Sequence, residues 1–309
     1  MKHADFDPVA SLDNLKDRIE RLLCKPVVRR APAQLSLDME PSQSGHQDSG
    51  YAKKSISDFL DFLVALVPNG DVYLFGGVLR DVALYGKRGF HSDIDLVIVG
   101  DWGSVAKHLE YRGASRNRFG GYRLQVNGWP IDLWSAEKTW AIAEGHVPYH
   151  GVASLLETTI LNWDAILMNW RTRRIICHED YLEKLSKRIL DIVLKPNPNP
   201  LGMAVRVFRH LSITDPSAIS HKAVEYLTQV TRRYSYLQLV ESEVRSYGNQ
   251  VIDQAVYHFF AKLALYEGMS FQESWDIAER SLLGEGIRLA NLQQSLPLSA
   301  HRQAPPFQN

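Results

Sequence analysis

Phe75-Gly76-Gly77-Val78-Leu79-Arg80-Asp81, followed after eleven residues by Asp93-Ile94-Asp95, decides how this chain is read. Val72-Tyr73-Leu74-Phe75 is apolar and aromatic, as a buried strand requires. Gly76 and Gly77 carry no Cβ, so the backbone can turn sharply there and come close to a phosphate. From Val78 the pattern becomes helical, with Val78, Val82 and Leu84 or Tyr85 able to face a sheet. A helix starting at this turn aims its free N–H groups at an anion. Arg80, in the first turn, could reach a triphosphate by paired hydrogen bonds. Residues 93–99 form a strand by composition. Alternation puts Asp93 and Asp95 on one face, about 6–7 Å apart at Cα, and turns Ile94 toward a core. Carboxylates so spaced can converge on a divalent cation.

This stretch resembles the polymerase-beta-like nucleotidyltransferases. Within them it is most similar to the head domain shared by class II CCA-adding enzymes and bacterial poly(A) polymerases, which carry Gly-Gly-x-x-Arg-Asp and then Asp-x-Asp on the next strand. Other branches usually have Gly-Ser at the turn, so Gly77 favours the RNA-tailing branch. The resemblance implies an α+β fold, with a mixed-sheet nucleotidyltransferase head followed by an all-α C-terminal bundle. It also implies a third carboxylate on a neighbouring strand. Residues 121–126 alternate like a strand, Asn127-Gly128 signals a hairpin turn, and Trp129-Pro130-Ile131-Asp132-Leu133-Trp134 returns. Asp132 lies between two apolar residues, so it would be exposed at a site while they face the core.

By this resemblance Asp93, Asp95 and Asp132 are the catalytic and metal-binding residues, holding two Mg²⁺ ions or Mn²⁺ in their place. Gly76, Gly77, Arg80 and Asp81 are expected to bind the nucleotide, joined by Arg206 and Arg209 from a later helix. Each also has a structural reading. An Asp-x-Asp at a strand end is commonly a solvated turn or a cap. Arg80 could pair with Asp81 or Asp93, and Asp81 suits a helix N-terminus for reasons unrelated to substrate. Arg206 and Arg209 could cover the helical bundle and pair with local acids.

The likeness continues at lower fidelity to about residue 213. Where the family has Arg-Arg-Asp and then Thr-x-Asn-Ala-Leu, this chain has Thr158-Thr159-Ile160 and then Asp164-Ala165-Ile166. Arg174-Ile175-Ile176 and Tyr181–Leu185 match a short strand and helix, and Ala204–Leu211 matches the first neck helix. That helix normally opens with Glu-Asp-x-x-Arg, whose acid and arginine read the incoming base. Asn199, Pro200 and Met203 stand at those three places, so ordered C, C, A addition is not expected.

A chain of 309 residues can bury a sizeable core, and two compact units are the natural expectation. Its 35 basic and 35 acidic residues balance, so any RNA contact must come from local patches rather than overall charge. Arg112, Arg116 and Arg118, Arg171, Arg173 and Arg174, Arg206 and Arg209, and Arg232 with Arg233 are such clusters, each also readable as solvated surface. Cys24 and Cys177 lack metal-ligand spacing, which suits a reducing cytoplasm. The sequence shows neither a signal-peptide stretch nor an apolar run long enough to span a membrane.

The expected organisation is an amphipathic helix within residues 1–25, a flexible linker over 26–51 and the head over 52–195. A helical neck and body over 196–290 and a disordered tail over 291–309 follow. Lys195-Pro196-Asn197-Pro198-Asn199-Pro200 marks the boundary. Helices are expected near 201–213, 218–231, 235–247, 250–266 and 272–283.

The expected function is transfer of a nucleoside monophosphate from an NTP to an acceptor hydroxyl, most simply a tRNA-like RNA 3′ end. Two alternatives keep parts of this picture: transfer to a protein or small molecule, and a nucleotide- or RNA-binding protein without catalysis. Loss of catalysis would be expected to erode the acidic trio early, and here it is intact.

Overall fold

The computed structural model describes residues 6–24, 55–90, 92–214, 216–266, 271–284 and 293–294. The expected linker lies outside these, as does the expected tail apart from residues 293–294. Helix α1 (Leu12–Leu23) is capped by Ser11, which accepts the Asn14 N–H, and buries Leu15, Ile19, Leu22 and Leu23. Helix α2 (Ile56–Leu66) opens with a reciprocal Ser55–Asp58 capping box.

The head then runs β1 (Asp71–Phe75), α3 (Gly77–Gly89), β2 (Ile94–Val99), α4 (Trp102–Tyr111), β3 (Ser115–Arg116), β4 (Tyr122–Val126), β5 (Trp129–Ser135) and α5 (Trp140–Ala143). It continues through β6 (Ile166–Asn169), β7 (Ile175–Cys177), α6 (Tyr181–Ser186) and β8 (Ile189–Leu190). Beyond it lie α7 (Pro200–Thr214), β9 (Ala218–Ile219), α8 (His221–Arg233), α9 (Tyr236–Tyr247), α10 (Gln254–Leu263), α11 (Phe271–Gly284) and β10 (Gln293–Gln294). The fold is α+β. The five C-terminal helices stand close to their expected places, with one difference. Ala218 and Ile219 form a short strand between β8 and β10, and helix α8 begins only after Ser220, whose side chain caps it.

The main sheet has the order β3-β4-β5-β2-β1-β6-β7. All its neighbours are antiparallel except β2 and β5. That parallel pair needs a crossover, supplied by α4 and the β3–β4 strands. One sheet face presents Val72, Leu74, Ile94, Leu96, Ile98, Ile131 and Leu133 to a large core shared with α1–α4 and the C-terminal helices. The opposite face is divided. Tyr73, Phe75, Val97 and Leu167 pack beneath Ala136, Leu155, Leu156 and Ala165 in a smaller cluster. The same face continues toward the β3 edge as a polar row.

Candidate active site

The glycine turn is built by backbone geometry. Gly76 has φ of 61°, a region open to glycine and strained for other residues. Its N–H donates to the Ile166 carbonyl at 3.0 Å, tying the turn to β6, and its own carbonyl accepts from Leu79 and Arg80 to start α3. A Cβ on residue 77 would fall 3.0 Å from the Ser92 hydroxyl oxygen. That oxygen is buried and has no hydrogen-bond partner among the described residues. Gly77 thus leaves room for a serine hydroxyl that comes from the strand side of the turn.

Cross-strand register gathers the acids. Ser115, Arg123, Asp132, Asp95, Phe75, Leu167 and Ile176 are successive partners across all seven strands. They share one face of the sheet. Asp93 precedes β2 by one residue and faces the same way as Asp95. Arg123 crosses this row, with Nη2 donating to Asp93 and Nη1 3.6 Å from Asp132. The three acids therefore share a side of the sheet. Burial pushes the Asp95 carboxyl well above the usual carboxylate range; Asp132 and Asp93 push it further, and Arg206 acts the other way.

Arg80 lies apart from that row, in a buried cluster of its own. Its guanidinium donates to Asp164 and, from Nε at 2.8 Å, to Asp81. Burial alone would lower the Arg80 pKa, but Asp164 and Asp81 outweigh it and hold the guanidinium firmly charged. Burial raises Asp164 in turn, and the facing Arg80, with His210 and Arg206, brings it below the usual range. The Tyr181 hydroxyl donates to the Trp163 carbonyl beside them at 2.8 Å. The pairing with Asp81 was one of the structural readings of the sequence. Asp93 pairs with Arg123 instead.

Helix α7 brings Arg206 and His210 to the same region. Arg206 bonds to Tyr247 and lies near Asp164 and Asp95. Burial depresses the His210 imidazole to about 3, and Arg80 adds to the effect. Arg209 turns into the bundle. It donates to Glu243 at 2.5 Å and to Asn249 at 3.3 Å, and its guanidinium lies 4.0 Å over the Tyr247 ring. Of the two candidate arginines on this helix, Arg206 alone faces the acidic row.

The donor set suits a divalent cation. Carboxylates are hard oxygen ligands, and burial and the neighbouring acids disfavour the ionised form of Asp95, which a bound cation would favour. Among the described residues, no three His, Cys, Asp or Glu side chains already enclose a common point that could hold a metal. Arg123 stands between two of the candidate ligands.

Ser92, Arg123, His210 and Tyr247 were not singled out from the sequence. Arg123 was legible in principle. A two-residue Asn127-Gly128 turn fixes the hairpin register, and counting back from it pairs residue 123 with residue 132. Ser92, His210 and Tyr247 depend on packing between distant segments, for which the local sequence gives no signal.

The family model of the nucleotidyltransferase domain matches residues 56–209, from the start of α2 into α7. The chain carries a nucleotidyltransferase domain. No curated protein matches the sequence. Solved structures similar to it include a tRNA-processing enzyme with CTP, at 16% identity and a TM-score of 0.41, over 74% of this chain and 57% of that one. A CCA-adding enzyme with ATP has 16% identity and a TM-score of 0.47, over 74% of this chain and 58% of that one. The Thermotoga maritima CCA-adding enzyme complexed with tRNA has 16% identity and a TM-score of 0.39, over 74% and 68%. The chain thus spans a little over half the length of the first two. Among the described residues, no helix is long and apolar enough to cross a membrane.

Proposed function

We propose that the nucleotidyltransferase domain moves a nucleoside monophosphate from an NTP to an acceptor hydroxyl and releases pyrophosphate. The observation that carries this reading is the direct register of Asp95 with Asp132 on adjacent parallel strands, with Asp93 on the same face. The Gly76-Gly77 turn leads into α3 beside them. Asp93, Asp95 and Asp132 would hold Mg²⁺, or Mn²⁺. Bound there, the ions would neutralise phosphate charge and favour the ionised acceptor hydroxyl. The protein's own part is positioning. Gly76 makes the turn, with its own N–H held by Ile166. Gly77 brings its backbone N–H toward the phosphates, the Ser92 hydroxyl offers one more hydrogen bond, and Asp132 orients the acceptor. Arg206 supplies positive charge from the helical side. Arg80 and Asp81 act one step back, fixing the first turn of α3 against residues 162–164. The head over 52–195 and the helical region over 196–290 would form the two working parts.

We assign the acceptor to a tRNA-like RNA 3′ end, because Gly-Gly-x-x-Arg-Asp is the form of the motif in the RNA-tailing branch. Transfer to a protein or small molecule is the second reading, favoured by the opening of α7. Asn199 there accepts the Gly202 N–H at 3.0 Å, Pro200 is the first helical residue, and Met203 packs against the core. The three places that read the base in the family thus serve as cap, helix start and packing.

The test is incubation with each labelled NTP, Mg²⁺ or Mn²⁺, and total RNA or total protein. Label in RNA supports tailing, and label in a protein band supports the second reading. NTP binding with no transfer to any acceptor would overturn catalysis and leave a binding protein.

A further inference from the structure

We propose that Arg123 is an internal counter-ion that occupies the cation position between Asp93 and Asp132 until a nucleoside triphosphate arrives, and then moves onto the phosphates. This rests on the nucleotidyl-transfer reading and adds an order of binding to it.

The geometry is specific. Strand β4 lies outside β5 in the sheet, so the Arg123 side chain must reach past Asp132 to touch Asp93 near the start of β2. It does so with both terminal nitrogens directed at carboxylates, Nη2 to Asp93 and Nη1 to Asp132. An ion shared by those two acids would need the space that the guanidinium fills. This agrees with the lack, among the described residues, of a ready-made cage for a metal. The exposures of the side chains also matter. Arg123 is 19% exposed, Asp93 21% and Asp132 26%. The cluster is therefore neither sealed, which would lock the arginine in, nor open enough for solvent to dissolve the pairing.

A divalent ion entering without nucleotide would meet a fixed positive charge and compete with a bridge that is already made. A triphosphate changes this balance. Guanidinium pairs well with phosphate through two parallel hydrogen bonds, so incoming phosphates give Arg123 a new partner and release both carboxylates. Metal and nucleotide then bind with positive coupling, and one residue opposes the first while helping the second.

That opposition gives the test, made on the full chain. Mn²⁺ binding is followed by the electron paramagnetic resonance of free Mn²⁺, with and without a non-hydrolysable ATP analogue. The wild type should bind Mn²⁺ weakly alone and at least 10-fold more tightly with the analogue. Arg123→Ala should bind Mn²⁺ at least 10-fold more tightly than wild type in the absence of nucleotide, yet bind the analogue more weakly. Arg123→Lys should fall between. A purely structural arginine would not move two affinities in opposite directions. Equal nucleotide-free Mn²⁺ affinity in wild type and Arg123→Ala would overturn the proposal while leaving the site intact. No Mn²⁺ uptake by wild type even with the analogue would instead overturn the metal-site reading itself. A second measurement needs no variant. Mn²⁺ alone should leave the wild-type melting temperature unchanged, and Mn²⁺ with analogue should raise it; a full rise with Mn²⁺ alone counts against the counter-ion.

Discussion

Two charged clusters lie beside the glycine turn, and they differ in how their charges balance. Around Arg80, one guanidinium meets Asp81 and Asp164 in a nearly closed pocket, with a neutral His210 alongside. Around Asp95, three carboxylates meet Arg123, which touches the outer two. Unpaired buried charge is costly, so folding favours compensation of the first kind. The second cluster keeps an imbalance that a ligand can relieve. The difference teaches that the arginine of the glycine turn and the acids Asp93 and Asp95 need not belong to one constellation, although they arise within sixteen residues of sequence.

The largest expected effect separates the clusters by function. Asp95→Asn should lower NMP transfer by about 10³-fold or more, by analogy with losing one charge-stabilising group. It should leave stability unchanged or slightly raised, because it removes a poorly compensated carboxylate. Labelled-NTP transfer and thermal melting read the two quantities, and a large loss of stability would make Asp95 a structural residue. Arg80→Met should do the reverse in kind. Leaving Asp81 and Asp164 buried without their guanidinium should cost about 3–5 kcal/mol in urea unfolding. A stable variant with only weakened NTP binding would return Arg80 to the substrate.

A smaller effect follows from pH. His210 has an ordinary pKa of 6.5 and is held near 3 in the fold. Above 6.5 neither state binds the proton. As pH falls below 6.5 the unfolded chain takes it up and the folded chain does not, so stability is lost on acidification. The loss between pH 6.5 and 5 should be about 1.5 kcal/mol. Urea unfolding across that window reads it, and His210→Gln should flatten the slope.

The smallest effect tests the turn between the clusters. Gly77→Ala should destabilise by about 1 kcal/mol, because its Cβ presses on the Ser92 hydroxyl. Ser92→Ala in the same chain should recover much of that loss. No recovery in the double-mutant cycle would mean that the contact with Ser92 is not the cause.

The strand–turn–helix around Gly76 and the β4–β5 hairpin were legible because each is decided by residues adjacent in sequence. Alternation placed Asp93 and Asp95 together, and the Asn127-Gly128 turn set the strand that carries Asp132. The short strand at Ala218–Ile219 was not legible, since its partners come from residues 189–190 and 293–294. A two-residue strand carries too little pattern to compete with the helical spacing that follows it. The Arg80 cluster was half legible. Asp81 is adjacent, whereas Asp164 and His210 arrive through tertiary packing. Arg206 and Arg209 looked equivalent on one helix, and only the bundle, through Glu243, distinguishes them.

The β4–β5 hairpin carries Arg123 and Asp132 directly opposite each other. Grafting residues 122–135 from this chain into a related scaffold would therefore transfer a ligand together with its competitor. Such a chimera would gain no net charge, but it would inherit a requirement that nucleotide and metal arrive as a pair.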